Sequence, residues 1–162
     1  MNYHLSTGRI KQLSGKEKTA KSLGYAGLIP FIIFSIGSWF QLPIISDSIY
    51  ILTAYAAIIL SFMGAIHWGV AISSTAISST ESQNSQYLIA SVIPGLSAWL
   101  ALLLPQTYAL TLLMIGFIVL IIYDWSVEKP QRLPDWYMPM RNRLTIVVLM
   151  CLTITQLSLV IP

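Results

Sequence analysis

Five apolar runs dominate the sequence and leave few ways in which the chain can fold. They cover residues 23–40, 49–73, 87–104, 107–123 and 144–161. Each run is close to the roughly 20 residues that an α-helix needs to cross about 30 Å of hydrocarbon. Charged residues make up only 9% of the 162 residues, against about 25% in soluble domains. The sequence therefore predicts an all-α polytopic membrane bundle of about five transmembrane helices.

The first apolar run follows a basic segment, an order that also occurs in signal peptides. At about 18 residues the run is longer than the roughly 7–15 residues of a signal-peptide core. It ends in Trp39 and Phe40, whereas signal peptidases cleave after small residues. We therefore predict an uncleaved first span, with residues 1–22 as a basic cytoplasmic tail and residues 23–161 as the membrane domain.

The basic residues predict the orientation of the chain. All nine Lys and Arg lie in segments 1–22 and 124–143, which share one side of the membrane if the chain crosses it five times. Because cytoplasmic loops are enriched in Lys and Arg, we predict a cytoplasmic N-terminus and an outside C-terminus. The same pattern accounts for the pI of about 9.1 by contact with the anionic lipid bilayer, so we predict no nucleic-acid partner.

Small residues recur along the second apolar run. Ala57, Ser61, Ala65, Gly69 and Ser73 follow one another every four positions, and Gly64 lies on the neighbouring face. This spacing lets another helix approach the backbone closely. We predict that these residues serve helix packing, within the chain, against a membrane protein partner or in a homo-oligomer.

Ionisable residues are predicted in the cytoplasmic half of the membrane. His67 lies near the inner end of the second run, Asp124 directly follows the fourth run, and Arg141 and Arg143 precede the fifth. Such groups usually face other helices or a wet cavity, and a buried Arg–Asp pair is costly unless it is well satisfied. These side chains are expected either to hold helices together or to line a cytoplasm-facing pocket for a lipid headgroup or a quinone.

Aromatic residues flank these positions. Trp68, Trp125, Trp136 and Tyr137 suit the interface between membrane and water, where amphipathic rings serve as anchors. In the alternative, they line the same pocket. The hypothetical binding set is then His67, Trp68, Asp124, Trp125, Trp136, Tyr137, Arg141 and Arg143.

Motifs for catalysis or cofactor binding are missing from the sequence. His67 and Cys151 are the only soft metal ligands inside the predicted spans, and no GxSxG, P-loop or GxGxxG occurs. We therefore predict no catalytic residues, metal or cofactor. Three classes stay open: a non-enzymatic protein that packs on a membrane complex or assists its assembly, a small transporter or lipid- or quinone-binding protein, and an intramembrane enzyme. We favour the first.

Three motifs together resemble the transmembrane protein 69-like family, also called domain of unknown function 3429. They are GAIHWG from Gly64, YDW from Tyr123 and LPDWYMPMRNRLT from Leu133. The resemblance covers roughly residues 23–161. The positions that carry the pattern are Gly64, His67, Trp68, Gly69, Asp124, Trp125, Trp136, Tyr137, Arg141, Leu144 and Thr145. It implies a multi-pass protein of bacterial inner membranes, or of mitochondria in eukaryotes, and brings no catalytic mechanism. We expect the bacterial inner membrane.

Overall fold

The computed structural model describes residue 15 and residues 17–40, 47–74, 81–127 and 136–161. Within these ranges every regular element is helical. The five helices are α1 (Ile29–Phe40), α2 (Ser48–Ser74), α3 (Glu81–Leu102), α4 (Gln106–Val127) and α5 (Tyr137–Ser158). A further helical segment, 17–26, precedes α1 and is separated from it by a turn at Gly27 and Leu28.

Much of the surface of the bundle is apolar, and its interior holds three ionisable groups. Three stretches are long and apolar enough to cross a membrane, namely Glu17–Phe40, Ser48–Gly69 and Gln106–Ser126, and Leu88–Leu102 is a shorter apolar helix. Large apolar side chains such as Phe62 and Ile122 are exposed, while Asp124 and Arg141 are buried. This distribution is the reverse of the one that water requires, and it fits lipid as the solvent. The predicted all-α membrane helical bundle is confirmed.

Several helices extend beyond the predicted apolar runs. α3 begins at Glu81 and α5 at Tyr137, each about two turns before the apolar run that it contains. The reason is that hydropathy detects only the apolar part of a helix, whereas backbone hydrogen bonding continues through polar residues. The last part of the predicted basic tail, from Glu17 onward, is also helical, and residues 1–14 and 16 lie outside the described residues.

Helix α2 occupies the centre of the bundle. It contacts α1, α3 and α4, and α5 packs against α1 and α4. The buried residues of this core include Leu28, Phe31, Leu52, Ala56, Leu60, Leu110, Leu113, Phe117, Leu120, Val148 and Leu152. Because lipid is as apolar as these side chains, the helices are held by close packing and hydrogen bonds more than by apolar burial.

Short connections and backbone contacts set the helix order. α3 ends at Leu102 and α4 begins at Gln106, so the two helices are joined by a short turn that contains Pro105. α1 reaches α5 through two side chains: the Ser35 hydroxyl donates to the carbonyl of Cys151 at 3.0 Å, and the Trp39 indole nitrogen donates to the carbonyl of Ile154 at 3.1 Å. These bonds hold α1 against α5, which is distant from it in the sequence.

Candidate functional site

Three ionisable side chains from three helices meet inside the bundle. The Asp124 carboxylate is their centre: its Oδ1 lies 2.8 Å from Nε2 of His67, and its Oδ2 accepts a hydrogen bond from Nε of Arg141 at 2.7 Å. The exposed fractions of His67, Asp124 and Arg141 are 7%, 7% and 2%. We call these three residues the ionic clamp, because they link α2, α4 and α5.

The helical period of α5 decides which arginine enters the clamp. Its buried residues include Arg141, Thr145 and Val148, a spacing of three and four that defines one helix face. Arg143 is two positions further on, about 200° around the helix, and it is exposed. The sequence left both arginines open, and the structure brings Arg141 alone to Asp124.

The electrostatics of the clamp favour a closed structural unit. A buried carboxylate is costly to desolvate, and a close guanidinium partner offsets that cost only with good geometry and further hydrogen bonds. Here one carboxylate oxygen faces Arg141 and the other faces His67. Among the described residues there is no group of three or more His, Cys, Asp or Glu that could hold a metal ion. The arrangement can therefore hold three helices in a defined register.

Tyr123 is a contact of the clamp that the sequence analysis did not include among the site residues. Its ring meets the His67 imidazole edge to face, with ring centroids 5.1 Å apart and an interplanar angle of 82°. Edge-to-face ring pairs add about 0.5–1.5 kcal/mol beyond area burial. Its position directly before Asp124, on the same helix end, is the signal that could have identified it.

The other predicted binding residues take no part in the ion pairs. Trp68, Trp125 and Arg143 are exposed, and Trp136 and Tyr137 are half-buried. Their role in a ligand pocket stays a prediction.

Two of these aromatic residues make polar contacts at the same end of the bundle. The indole nitrogen of Trp125 donates to Oδ1 of Asn142 at 3.0 Å. The ammonium group of Lys21 lies 5.9 Å from the centroid of the Trp136 ring, within the range of a cation–π contact. The helical segment that holds Lys21 therefore lies close to the start of α5.

A groove runs between α4 and α5 beside the clamp. Its volume is about 760 Å³, and it is lined by Ile121, Ile122, Trp125, Ser126, Asn142, Thr145, Ile146 and Leu149. Of the predicted binding residues it contains Trp125 alone. Asn142, which sequence reasoning missed, is adjacent to Arg141 in the sequence just as Trp125 is adjacent to Asp124.

The predicted packing residues of α2 divide into two groups. Ala57 and Gly64 are buried and Ser61 is half-buried. At Gly64 an added Cβ would lie 2.9 Å from Cβ of Pro94 and 3.0 Å from the carbonyl oxygen of Ser91, so α3 approaches the backbone there.

The second group lies further along the same helix. Ala65 and Gly69 are exposed, and a Cβ at Gly69 would meet nothing within 4 Å. The side chain of Ser73 lies outside the described part of the chain. Only the residues near Gly64 are therefore seen in contact with another helix, and a packing role for Ala65, Gly69 and Ser73 stays a prediction.

An all-helical bundle with an apolar surface and buried ionisable groups paired across helices defines a polytopic membrane protein. The family described as "Protein of unknown function (DUF3429)" matches residues 16–157, and the chain belongs to this family. It is also 34% identical over 150 residues to "Transmembrane protein 69" of Xenopus tropicalis, an alignment that covers 88% of this chain and 55% of that protein. The predicted resemblance is thus confirmed.

The chain spans about half the length of this curated relative. No solved protein structure matches it.

Proposed function

We propose that this protein is a non-enzymatic membrane protein that packs on a membrane complex or assists its assembly. The observation that carries the proposal is the closed ionic clamp. Asp124 is in close contact with both His67 and Arg141, and all three are at least nine-tenths buried. These three side chains contact one another and join three helices, and their burial keeps them from the surface.

An open face of α2 supports a protein partner. Phe62, Ala65 and Gly69 are exposed at positions three and four apart, so they share one side of the helix. The two small residues of this face, Ala65 and Gly69, let a second helix come close to the backbone, where van der Waals packing is the main attraction in lipid. A helix of another subunit is the occupant that this face suits best.

The alternative is a small transporter or a lipid- or quinone-binding protein that uses the clamp as a pocket. It receives less support because a transport pathway needs water or substrate to reach the ionisable groups. His67 has an exposed fraction of 7%, and the groove between α4 and α5 does not include it.

Bulky substitutions on the open face test the proposal. The full chain is extracted in mild detergent and separated on native gels, with mass spectrometry of each band. We expect the wild type in a complex with a stoichiometric partner, and Gly69→Leu to release it. Since a Cβ at Gly69 would meet none of the described atoms within 4 Å, we expect the fold to be kept, and helix content by circular dichroism checks this. Ala26→Leu, at another exposed helical position, is the matched control and should keep the complex.

Two results would contradict the proposal. One is a wild-type chain that migrates alone after every mild extraction. The other is a complex that survives Gly69→Leu and Ala65→Leu as well as it survives the control.

We further propose that the chain lies in the bacterial inner membrane with its basic tail in the cytoplasm. The support is the placement of all nine Lys and Arg on one side of a five-span topology. Cysteine labelling in intact cells tests it: a cysteine placed at Ser6 should resist an impermeant maleimide, and one at Pro162 should react. The opposite pattern would reverse the topology.

A further inference from the structure

The groove between α4 and α5 is polar at one end and apolar along its length. Trp125 and Asn142 are bonded to each other at the end where α4 finishes and α5 begins. From there the walls continue with Ile122, Ile146 and Leu149. Asn142 and Leu149 are two helical turns apart, about 10 Å. A volume of about 760 Å³ lies within the roughly 300–1,000 Å³ of ligand clefts.

The Asn142 side chain offers donors at the polar end. Its Oδ1 accepts the Trp125 indole hydrogen bond, so its amide nitrogen keeps two hydrogens that can donate. Within the described residues no acceptor is recorded for that nitrogen. The amide therefore matches an oxygen-rich ligand group at the mouth of the groove.

A cation lies at the same end. Arg143 follows Asn142 on α5, is exposed, and forms no ion pair with another described residue. Lys21, near the ring of Trp136, is already paired with Glu17, whose Oε1 lies 2.6 Å from its Nζ, and Asp124 is paired with Arg141. Among the described residues at this end, Arg143 therefore carries the unpaired charge, and it complements an anionic group.

We propose that the groove binds one anionic phospholipid, with its phosphate at Asn142 and Arg143 and an acyl chain along Ile122, Ile146 and Leu149. The exposed apolar walls face the membrane, where acyl chains are the surrounding medium. A neutral quinone would leave the positive end without a partner. A helix from a second copy suits it less, because the described parts of α1 to α5 carry Asp or Glu only at Glu81 and Asp124, and Asp124 is buried and paired with Arg141. This site is separate from the open face of α2, so it does not rest on the proposed function.

Native mass spectrometry of the full chain in detergent measures the binding. Dioleoyl phosphatidylglycerol, dioleoyl phosphatidylcholine and inorganic phosphate are titrated separately. We expect one phosphatidylglycerol to bind more tightly than phosphatidylcholine, and inorganic phosphate to bind least because it lacks the acyl chain. A juxtamembrane cation contributes about 1 kcal/mol, so Arg143→Gln should weaken phosphatidylglycerol binding about fivefold. Lys18→Gln, at an exposed cation outside the groove, should change it less than twofold.

A second arm locates the acyl chain. Ile146→Trp fills the groove and should reduce binding of both lipids, while Met150→Trp, at another exposed position of α5, should not. Phosphatidylglycerol with a photoreactive acyl chain should label peptides from residues 121–126 and 142–149. The labelled peptides show whether the acyl chain lies in the groove, even if Ile146→Trp fails to fold.

Three outcomes would overturn the assignment. Equal affinity for the two lipids in the wild type would remove the anionic preference. Unchanged binding in Arg143→Gln, or labelling spread evenly over the apolar surface, would indicate only general lipid contact. Displacement of phosphatidylglycerol by a neutral quinone or by dimer formation would assign the groove to that occupant.

Discussion

The two ends of the bundle hold their helices together by different means. At one end, the ionic clamp joins α2, α4 and α5 through a single carboxylate. At the other end, which we call the hairpin end, α3 turns into α4 through Pro105, and Thr53 of α2 meets Gln106 of α4 with 2.8 Å between Oγ1 and Oε1. Apolar residues such as Leu110 fill the space around this contact.

This difference shows how a small membrane protein can fix the register of its helices at one end and tolerate single substitutions at the other. Lipid competes well for apolar side chains, so apolar contacts alone do not fix the register of one helix against another. The clamp supplies that register with few groups, and losing Asp124 or Arg141 leaves the other charge buried without its partner. The hairpin end spreads its stability over many small contacts, and no single one is decisive.

The largest expected effect comes from removing the centre of the clamp. Asp124→Ala leaves Arg141 buried without its counter-charge, and breaking a buried ion pair in this way costs about 3–5 kcal/mol. Reversible unfolding by sodium dodecyl sulfate in mixed micelles measures the free energy of unfolding. Lys18→Ala, at an exposed lysine that forms no ion pair with a described residue, is the control for removal of a charge and should change it by less than about 0.5 kcal/mol.

The same experiment can be sharpened with a double variant. Asp124→Leu combined with Arg141→Leu removes both charges, so it should be more stable than either single change. Equal losses of unfolding free energy for Asp124→Ala and Lys18→Ala would show that the clamp does not stabilise its end of the bundle in the way described here.

An intermediate loss of stability is expected for a substitution in the middle of α2. Gly64→Ala places a methyl group 2.9 Å from the ring of Pro94 and 3.0 Å from a backbone oxygen, and neither neighbour can rotate away. Such overpacking typically costs about 1–3 kcal/mol. Gly69→Ala is the control: it meets open space and should be neutral or slightly stabilising, since Ala favours helix. Thermal unfolding in detergent compares the two, and equal melting temperatures would refute the close approach of α3.

The smallest effect is expected at the hairpin end. Thr53→Val keeps the side-chain shape and removes the contact with Gln106, and interhelical hydrogen bonds in membranes average about 0.6 kcal/mol. Thr111→Val is the control, because the Thr111 hydroxyl bonds only within its own helix and is exposed. The free energy of unfolding in mixed micelles should be lower for Thr53→Val than for Thr111→Val. A loss for Thr53→Val as large as that for Asp124→Ala would show that the two ends do not differ.

The sequence predicts the class of fold well because lipid imposes simple rules. An apolar run of suitable length has to become a helix, since no water is present to satisfy its backbone. The helix ends are less predictable. The helical start at Glu81 depends on polar residues that hydropathy assigns to a loop, and the turn at Gly27 and Leu28 interrupts a run that reads as continuous.

The candidate site is predictable in its members and not in its contacts. His67 and Asp124 stand out because ionisable groups inside membranes are rare. The choice between Arg141 and Arg143 needs the rotational position of α5, which its buried residues reveal only once the helix is packed. The bond between Trp125 and Asn142 depends on how closely α4 and α5 approach, and no sequence period encodes that distance.

The ionic clamp also has a consequence for biosynthesis. Asp124 and Arg141 are separated by 17 residues, and a ribosome adds about 5–20 residues per second. For roughly one to a few seconds, the fourth segment therefore carries a carboxylate toward the membrane before its guanidinium counterpart has been made. We therefore expect the fourth segment to reach its final stability only after α5 has been made, because α5 supplies the arginine that completes the clamp.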